Sequence, residues 1–563
     1  MPDLLQERSV KPQPVNADMK KPDQGLTVAD FILKQLSSWG ITRIYGVIGD
    51  ANLLLLDAIS RQRAIQYIPF LDENAAALAA SADAKLNGGI GVVIGTSGPG
   101  LVNMLNGLGD AFADRAGVLA ITGQVDAPKI GLHTKQYVQQ QLTVTPLAAF
   151  SELLAHPDAL PDLLQHCLVL SRLQGAVTHL SIPKLMFTEK VKGAVLPYSP
   201  HFHQTLLAPD KDVEEVFQLV AAARKPMLLV GGGISGAELE TVMFAEEMGA
   251  AVAATMPAKH LFPHNHPLFV GGLGLAGSEA TSILMRESDL IIILGATWWP
   301  EEYTPQGANI IQIDAARENI GMGHLLVRGL VGDLRDLMPR LAKLAKRSAK
   351  NEEAQAAWKR RISEARSEWT ERLEQETSQE GSPMAPQRIM RDLADMIPAD
   401  AIIAVDTGDH TIWFNRVFSN HGQRILLSGR WRTLGFALPA AIAAKHACSE
   451  RPVVAIAGDG GVVQTIMELR TAAAQGLALI LVVINNNAYA IEKNRMELTG
   501  LSTIGSTLDN PDFVLLAEAL GGKGYRATSS AELRKCMEEA FHSERPVLID
   551  VSASSPTVPH SKI

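Results

Sequence analysis

The sequence predicts an α/β protein built from three doubly wound parallel-sheet domains. Short apolar runs rich in β-branched residues alternate with longer helix-like segments along the chain, as in parallel sheets covered by helices on both faces. The length, 563 residues, corresponds to about three domains at roughly 100–200 residues each. Two breaks part the pattern into blocks of similar size, which predicts that two of the blocks share a related fold.

Residues 1–25 contain Pro2, Pro12, Pro14 and Pro22 and no apolar segment of the kind that marks a secretory signal. They read as a disordered tail. The first block, 26–190, carries strand candidates at Ile44–Val47, Tyr67–Phe70, Gly91–Gly95 and Val118–Thr122. Pro197 and Pro200 then mark a linker. The second block, 208–345, contains Met227–Val230, Ala251–Ala254, Leu290–Leu294 and Ile310–Ile313. Residues 346–383 are highly charged and predict a solvated helix between domains. The third block, 384–556, contains Ile402–Val405, Val453–Ala457, Leu479–Ile484 and Val547–Val551.

Composition narrows the function. The chain has 51 Lys plus Arg against 60 Asp plus Glu, a net charge of −9. No basic excess offers a surface to nucleic acid. The longest apolar stretches are too short to span a bilayer, so no membrane partner is expected and the expected location is the cytoplasm. Cys167, Cys448 and Cys536 are scattered at spacings that suit neither a disulfide framework nor a zinc site. They read as free thiols.

The strongest constellation lies in the third block. Val453–Ala457 runs into Gly458-Asp459-Gly460-Gly461, a helical stretch follows from about Gln464 to Ala474, and Leu477–Ile484 then ends in Asn485-Asn486-Asn487. A strand–helix–strand unit of this kind crosses over right-handed and places its two strands parallel. Their carboxyl ends share the sheet edge at which α/β proteins bind ligands. Asp459 and Asn486 therefore belong together in space. A carboxylate with an amide oxygen suits Mg²⁺ or Ca²⁺, and Mg²⁺ with so few protein ligands borrows phosphate oxygens. The glycines let backbone N–H groups approach such a phosphate. A bare Gly-Asp-Gly turn is the alternative reading.

These residues resemble the diphosphate-binding signature of thiamine-diphosphate-dependent enzymes, at a spacing of 27 (486 − 459). The resemblance extends over nearly all of 26–555, through Tyr45-Gly46-Val47-Ile48-Gly49, Glu73-Asn74-Ala75-Ala76, Thr96-Ser97-Gly98-Pro99-Gly100, Ile121-Thr122-Gly123-Gln124, Thr433 to Ala440, and Glu468-Leu469 in the crossover helix. Within the family the chain looks most similar to the pyruvate oxidase and acetohydroxyacid synthase (acetolactate synthase) branch.

The resemblance implies pyrimidine-binding, central and diphosphate-binding domains in that order. It implies Mg²⁺ held by Asp459, Asn486 and the backbone carbonyl of Ala488. Gly458, Gly460 and Gly461 then lie at the diphosphate, with Gly408 and His410 on a neighbouring loop and His410 donating to the diphosphate. Leu434 becomes the apolar wedge that keeps the cofactor bent. Glu73 becomes the carboxylate at N1′ of the aminopyrimidine, promoting the tautomer that activates the thiazolium carbon. Without the family, Glu73 is an ordinary acidic residue in a first helical turn.

Gln139 corresponds to a family glutamine near the substrate, although Val138 and Gln140 depart from the usual neighbours. Arg430, Arg432 and Arg495 stand where relatives carry other residues, and arginine suits capture of a carboxylate or phosphate. Arg432 and Arg495 are accordingly candidates for the substrate's acidic group. In the second block, Gly231-Gly232-Gly233-Ile234-Ser235-Gly236 follows a strand, as in dinucleotide sites. The next strand ends at Thr255, with no acid for a ribose, which speaks against NAD. Gly295-Ala296-Thr297, the loop to Tyr303, Gln312-Ile313-Asp314 and Val331-Gly332-Asp333 look like the central domain that holds FAD in pyruvate oxidase.

The expected activity is decarboxylation of a 2-oxo acid such as pyruvate with oxidation of the remaining fragment. The alternatives are carboligation to a second 2-oxo acid and a non-catalytic cofactor-binding relative. The family builds each site from two subunits, so a homodimer or homotetramer is implied. The chain stops soon after Pro556, so the C-terminal extension of a membrane-activated oxidase is not expected.

Overall fold

A computed structural model describes residues 25–199, 206–275, 277–296, 303–305, 307–323, 325–349 and 351–558. The expected disordered tail (apart from Gly25), Pro200 of the first linker and residues 297–302 of the aromatic loop lie outside the described residues.

Among the described residues, eighteen strands form three six-stranded sheets. The first contains β1 (Arg43–Gly46), β2 (Gln66–Pro69), β3 (Gly91–Gly95), β4 (Val118–Gln124), β5 (Phe150–Leu153) and β6 (Val177–Pro183). The second contains β7 (Pro226–Val230), β8 (Ala251–Ala254), β9 (Phe269–Gly272), β10 (Leu290–Leu294), β11 (Ile310–Asp314) and β12 (Arg328–Val331). The third contains β13 (Ile402–Val405), β14 (Arg424–Leu427), β15 (Val453–Gly458), β16 (Ile480–Asn485), β17 (Lys523–Ala527) and β18 (Val547–Ser552). Every pairing is parallel.

The spatial orders are β2-β1-β3-β4-β6-β5, β12-β11-β10-β7-β8-β9 and β14-β13-β15-β16-β18-β17. Counted within each sheet, the first and third share the order 2-1-3-4-6-5, so two of the three are of one topology. The middle sheet runs 3-2-1-4-5-6, the dinucleotide-binding order. Among the described residues no helix is long and apolar enough to cross a membrane.

One apolar core joins the first and third sheets, with Tyr45, Ala76 and Leu78 in the same cluster as Phe436, Ala440 and Leu481. Its centre is the helix Glu73–Asn87, rich in alanine, the best helix former. Asp72 caps it by accepting from the N–H of Ala75, and Gly88 ends it in the left-handed conformation. Small side chains let it pack closely on both sides. A Cβ at Gly107 of the helix Pro99–Ala113 would stand 2.5 Å from Ala77. At its far end Lys85 donates to Asp110, Asp114 and the carbonyl of Leu427. Burial opposes the charge of Lys85, but the two carboxylates outweigh it and raise its pKa.

The middle sheet has its own core. The predicted linker helix is present as Glu352–Thr377, but it is not solvated all round. Trp358, Ile362 and Ala365 are buried in the middle core, and the Trp358 indole donates to the carbonyl of Pro226. Charged residues fill the outer face, so composition alone hid the apolar stripe.

Candidate active site at the carboxyl edge of the third sheet

β13, β15 and β16 lie side by side, with Val405 opposite Ile456 and Gly458 opposite Ile484. Their carboxyl ends therefore bring Asp406–His410, Gly458–Gly461 and Asn485–Ala488 to one edge. The crossover segment is broken, with a turn of helix at Asp459–Val462 and a second piece at Glu468–Ala474, rather than one helix from Gln464.

Asp406, which sequence reasoning passed over, organises the first loop. It is 1% exposed, and its carboxylate accepts from the backbone N–H groups of Thr407, Gly435 and Phe436. Burial pushes its pKa up to about 7 against these hydrogen bonds. The bonds pin the turn after half-buried Leu434, where Gly435 takes a φ of 82°.

His410 is buried, and burial pushes its pKa down to about 4. Its Nε2 lies 3.0 Å from the carbonyl oxygen of Asp406, which can only accept. The ring is thus a neutral Nε2–H tautomer whose single proton is already used. Its Nδ1 side faces Gly458, where a Cβ would stand 3.0 Å away.

Asp459 is 2% exposed. One oxygen accepts from the N–H of Gly460 and the other from the Asn510 amide, at 2.9 and 2.8 Å. Burial raises its pKa, opposed by hydrogen bonds that include the backbone N–H groups of Asn487 and Ala488. Those bonds place the Asn486 loop against the carboxylate, as the strand–helix–strand reading expected. The Asn486 amide oxygen accepts from the N–H of Ala488 at 3.2 Å. Asn510, another residue missed from sequence, also donates to the side-chain oxygens of Asn485 (3.0 Å) and Asn487 (3.4 Å). It binds the segment before the helix Phe513–Ala519 to the site.

Among the described residues no ion pair joins Asp459, and no three His, Cys, Asp or Glu residues form a metal-binding group. A buried carboxylate without a cationic partner, set among amide oxygens, suits a hard divalent ion. The glycines are sterically required. A Cβ at Gly460 would stand 2.5 Å from the Tyr489 ring, and one at Gly461 3.1 Å from Asp406. The residues present fit a Mg²⁺-bound diphosphate.

Glu73 opens its helix after β2 and is 8% exposed. Asn103 donates to one of its oxygens at 3.1 Å. The other lies beside Gly100, where a Cβ would come within 3.3 Å. Among the described residues no hydrogen bond or ion pair joins Glu73 to Asp459.

The substrate candidates lie at exposed positions. Gln139 precedes a short helix, Gln140–Val144, and its carbonyl accepts from Thr143. Its neighbour Gln140 is the buried one, bound to Thr122 and to the carbonyl of Gly123. Arg432 has a φ of 59°, a strained backbone for arginine, and its Nε donates to the carbonyl of Gly429. The Arg495 side chain is 67% exposed and lies 3.6 Å from Glu492. The next-door Trp431 donates to Asn106 and covers Gly109, closing the first domain onto the third.

In the middle domain, Gly231 and Gly233 touch Gly295 across the ends of β7 and β10, so closely that a Cβ on any of them would fall within 2.7 Å of backbone. Gly232 faces open space instead. Cys167 and Cys536 are buried free thiols whose pKa burial raises, Cys167 to about 12, which argues against a catalytic thiol.

Comparison with known proteins agrees with this geometry. The domains described for thiamine pyrophosphate enzymes match in order: the N-terminal TPP binding domain over residues 26–147, the central domain over 213–341 and the C-terminal TPP binding domain over 406–551. YdaP of Bacillus subtilis (strain 168), provisionally named a thiamine pyrophosphate-containing protein, is 32% identical over 93% of this chain and 91% of its own. The acetolactate synthase isozyme 2 large subunit of Escherichia coli (strain K12) is 29% identical over 93% and 95%. The pyruvate oxidase of Lactiplantibacillus plantarum is 28% identical over 92% and 87%. The chain belongs to the thiamine-pyrophosphate enzyme family, in the pyruvate oxidase and acetolactate synthase branch, and is a thiamine-diphosphate-dependent enzyme of 2-oxo acids.

Proposed function

We propose that the protein decarboxylates pyruvate or a similar 2-oxo acid and oxidises the remaining two-electron-richer fragment, as a pyruvate oxidase does. The observation that carries the cofactor half of this reading is the buried Asp459 carboxylate, unpaired with any described cation and ringed by the Asn485–Ala488 loop. Asp459, Asn486 and the Ala488 carbonyl hold Mg²⁺. The Gly458–Gly461 turn meets the diphosphate, with His410 packed against Gly458. Leu434, fixed through Gly435 and Asp406, wedges the cofactor. Thiamine diphosphate, when bound, supplies the nucleophilic carbon and the electron sink for the bond that breaks. Glu73, held by Asn103, keeps a proton in place at the aminopyrimidine.

Exposed apolar side chains flank both half-sites: Leu71 and Val102 near Glu73, and Val463 and Met467 after Asp459. They support a homodimer, or a tetramer of such dimers, in which Glu73 of one copy faces Asp459 of another.

The oxidative half rests on the middle domain. Its 3-2-1-4-5-6 order puts the Gly231–Gly233 loop at the switch point, and Gly232 leaves room for a close ligand. FAD is the dinucleotide proposed there. Similarity to acetolactate synthases favours carboligation as the second reading. One assay separates them. With pyruvate, thiamine diphosphate, Mg²⁺ and air, with and without added FAD, acetate and peroxide are expected; acetolactate without peroxide selects the carboligase.

A further inference from the structure

We propose that Glu468 is a positioning residue for Glu73, acting from the third domain on the turn that presents it. This rests on the reading of Glu73 given above. Glu468 opens the crossover helix and is 1% exposed. Its Oε1 accepts from the backbone N–H groups of both Leu71 and Asp72, each at 3.1 Å. Its Oε2 accepts from the Thr471 hydroxyl. Leu71 and Asp72 follow Phe70 in the turn after β2 and lead directly into Glu73. Seven residues along, Gln475 donates to the carbonyl of Pro69, the last residue of β2, at 3.1 Å.

The turn is therefore gripped at three points by one helix of the other domain, while Asp72 caps its own helix from within. Helix docking alone does not call for a buried carboxylate, since an apolar side chain would pack at lower cost. No described cation pairs with Glu468, and burial pushes its pKa up to about 7. What the carboxylate supplies is two aligned acceptor directions for adjacent N–H groups, which fix where the next residue, Glu73, begins. A small displacement of such a group is expensive, because proton positioning depends on sub-ångström geometry.

The test uses the holoenzyme with thiamine diphosphate and Mg²⁺. The variants are Glu468→Leu, Glu468→Gln and Thr471→Val, with Glu73→Gln as reference. The readouts are kcat, KM for pyruvate, cofactor affinity by fluorescence titration, and deuterium exchange of the 70–76 peptide. Glu468→Leu is expected to lower kcat about tenfold or more with KM and cofactor affinity within about twofold, and to speed exchange at 70–76. Glu468→Gln keeps one acceptor oxygen and restores most of kcat and the slow exchange. Thr471→Val, which only loosens the carboxylate, lowers kcat by about two- to threefold.

Parental kcat and exchange in Glu468→Leu overturn the proposal. So does a kcat loss matched by an equal loss of cofactor affinity in every variant. If Glu468→Leu does not fold, parental kcat and exchange in both remaining variants overturn it instead. A fully active Glu73→Gln would sink the reading of Glu73 itself, a separate outcome.

Discussion

The first and third sheets share one strand order, yet their carboxyl edges are equipped differently. The third edge is nearly complete in one chain. Asp406 locks the Leu434 turn, Asn510 locks Asp459, and the glycines shape the space between. The first edge offers essentially one chemical group, Glu73, steadied by Asn103 and by a turn that the third domain holds. On the proposed function, a shared frame carries binding in the third sheet and proton control in the first. Topology sets where loops converge, and loop residues set what they do.

This contrast can be broken from either side. Asp459→Ala should remove the largest share of function, because it takes away the one carboxylate at the metal position. Titration with Mg²⁺ and thiamine diphosphate is expected to show no saturation up to about millimolar concentrations. Glu73→Gln should instead bind the cofactor normally while kcat falls by about 10²-fold or more. Equal loss of binding in both variants would erase the division of labour.

Asn510→Ala sharpens the third edge. Its amide is not itself an expected ligand, but it donates to Asp459 and orients it, so Mg²⁺ affinity should fall by about 10- to 100-fold while kcat at saturation is kept. Arg432→Gly removes a guanidinium and relieves its left-handed backbone. KM for the true substrate should rise about tenfold with no loss of thermal stability. Unchanged kcat/KM in both Arg432→Gly and Arg495→Ala would exclude these arginines from substrate binding.

The last effect is on stability rather than activity and lies within the first sheet. His179 is buried between Thr122 and Ser151, and burial pushes its pKa down to about 3. The native ring stays neutral where the unfolded one gains a proton. Its contribution is therefore complete above the unfolded pKa of about 6.5 and is lost as pH falls toward 3, by about 1.4 kcal/mol per pH unit. His179→Gln should flatten the decline in unfolding free energy between pH 6 and pH 4, measured by urea denaturation at several pH values.

Interior strands were legible because buried parallel strands read as unbroken apolar runs, as in Leu290–Leu294 or Val453–Ala457. The strands not anticipated are mostly sheet edges: β5, β9, β12, β14 and β17. With a neighbour on one side only, they tolerate polar residues and lose the signal. β6 is interior, but Thr178, His179 and Ser181 interrupt its apolar run; they are fully buried, His179 bonding to Thr122 of the neighbouring strand and Thr178 to Ser171 of the covering helix. The meeting of Asp459 with the Asn486 loop was legible because one crossover rule joins two local motifs. Asp406, Asn510 and the grip of Glu468 were not. Asn510 is 51 residues from Asp459, and Glu468 is 396 from Asp72, separations that no local pattern encodes.

On the proposed function, each site takes Glu73 from one copy and Asp459 from another. Co-expressing Glu73→Gln and Asp459→Ala chains tests it, because a mixed dimer then holds one site with both native groups and one with neither. The two inactive variants together should regain about a quarter of parental activity, the statistical share of such sites in a randomly paired dimer. A mixture no more active than its parts would place both groups in the same chain's site and contradict it.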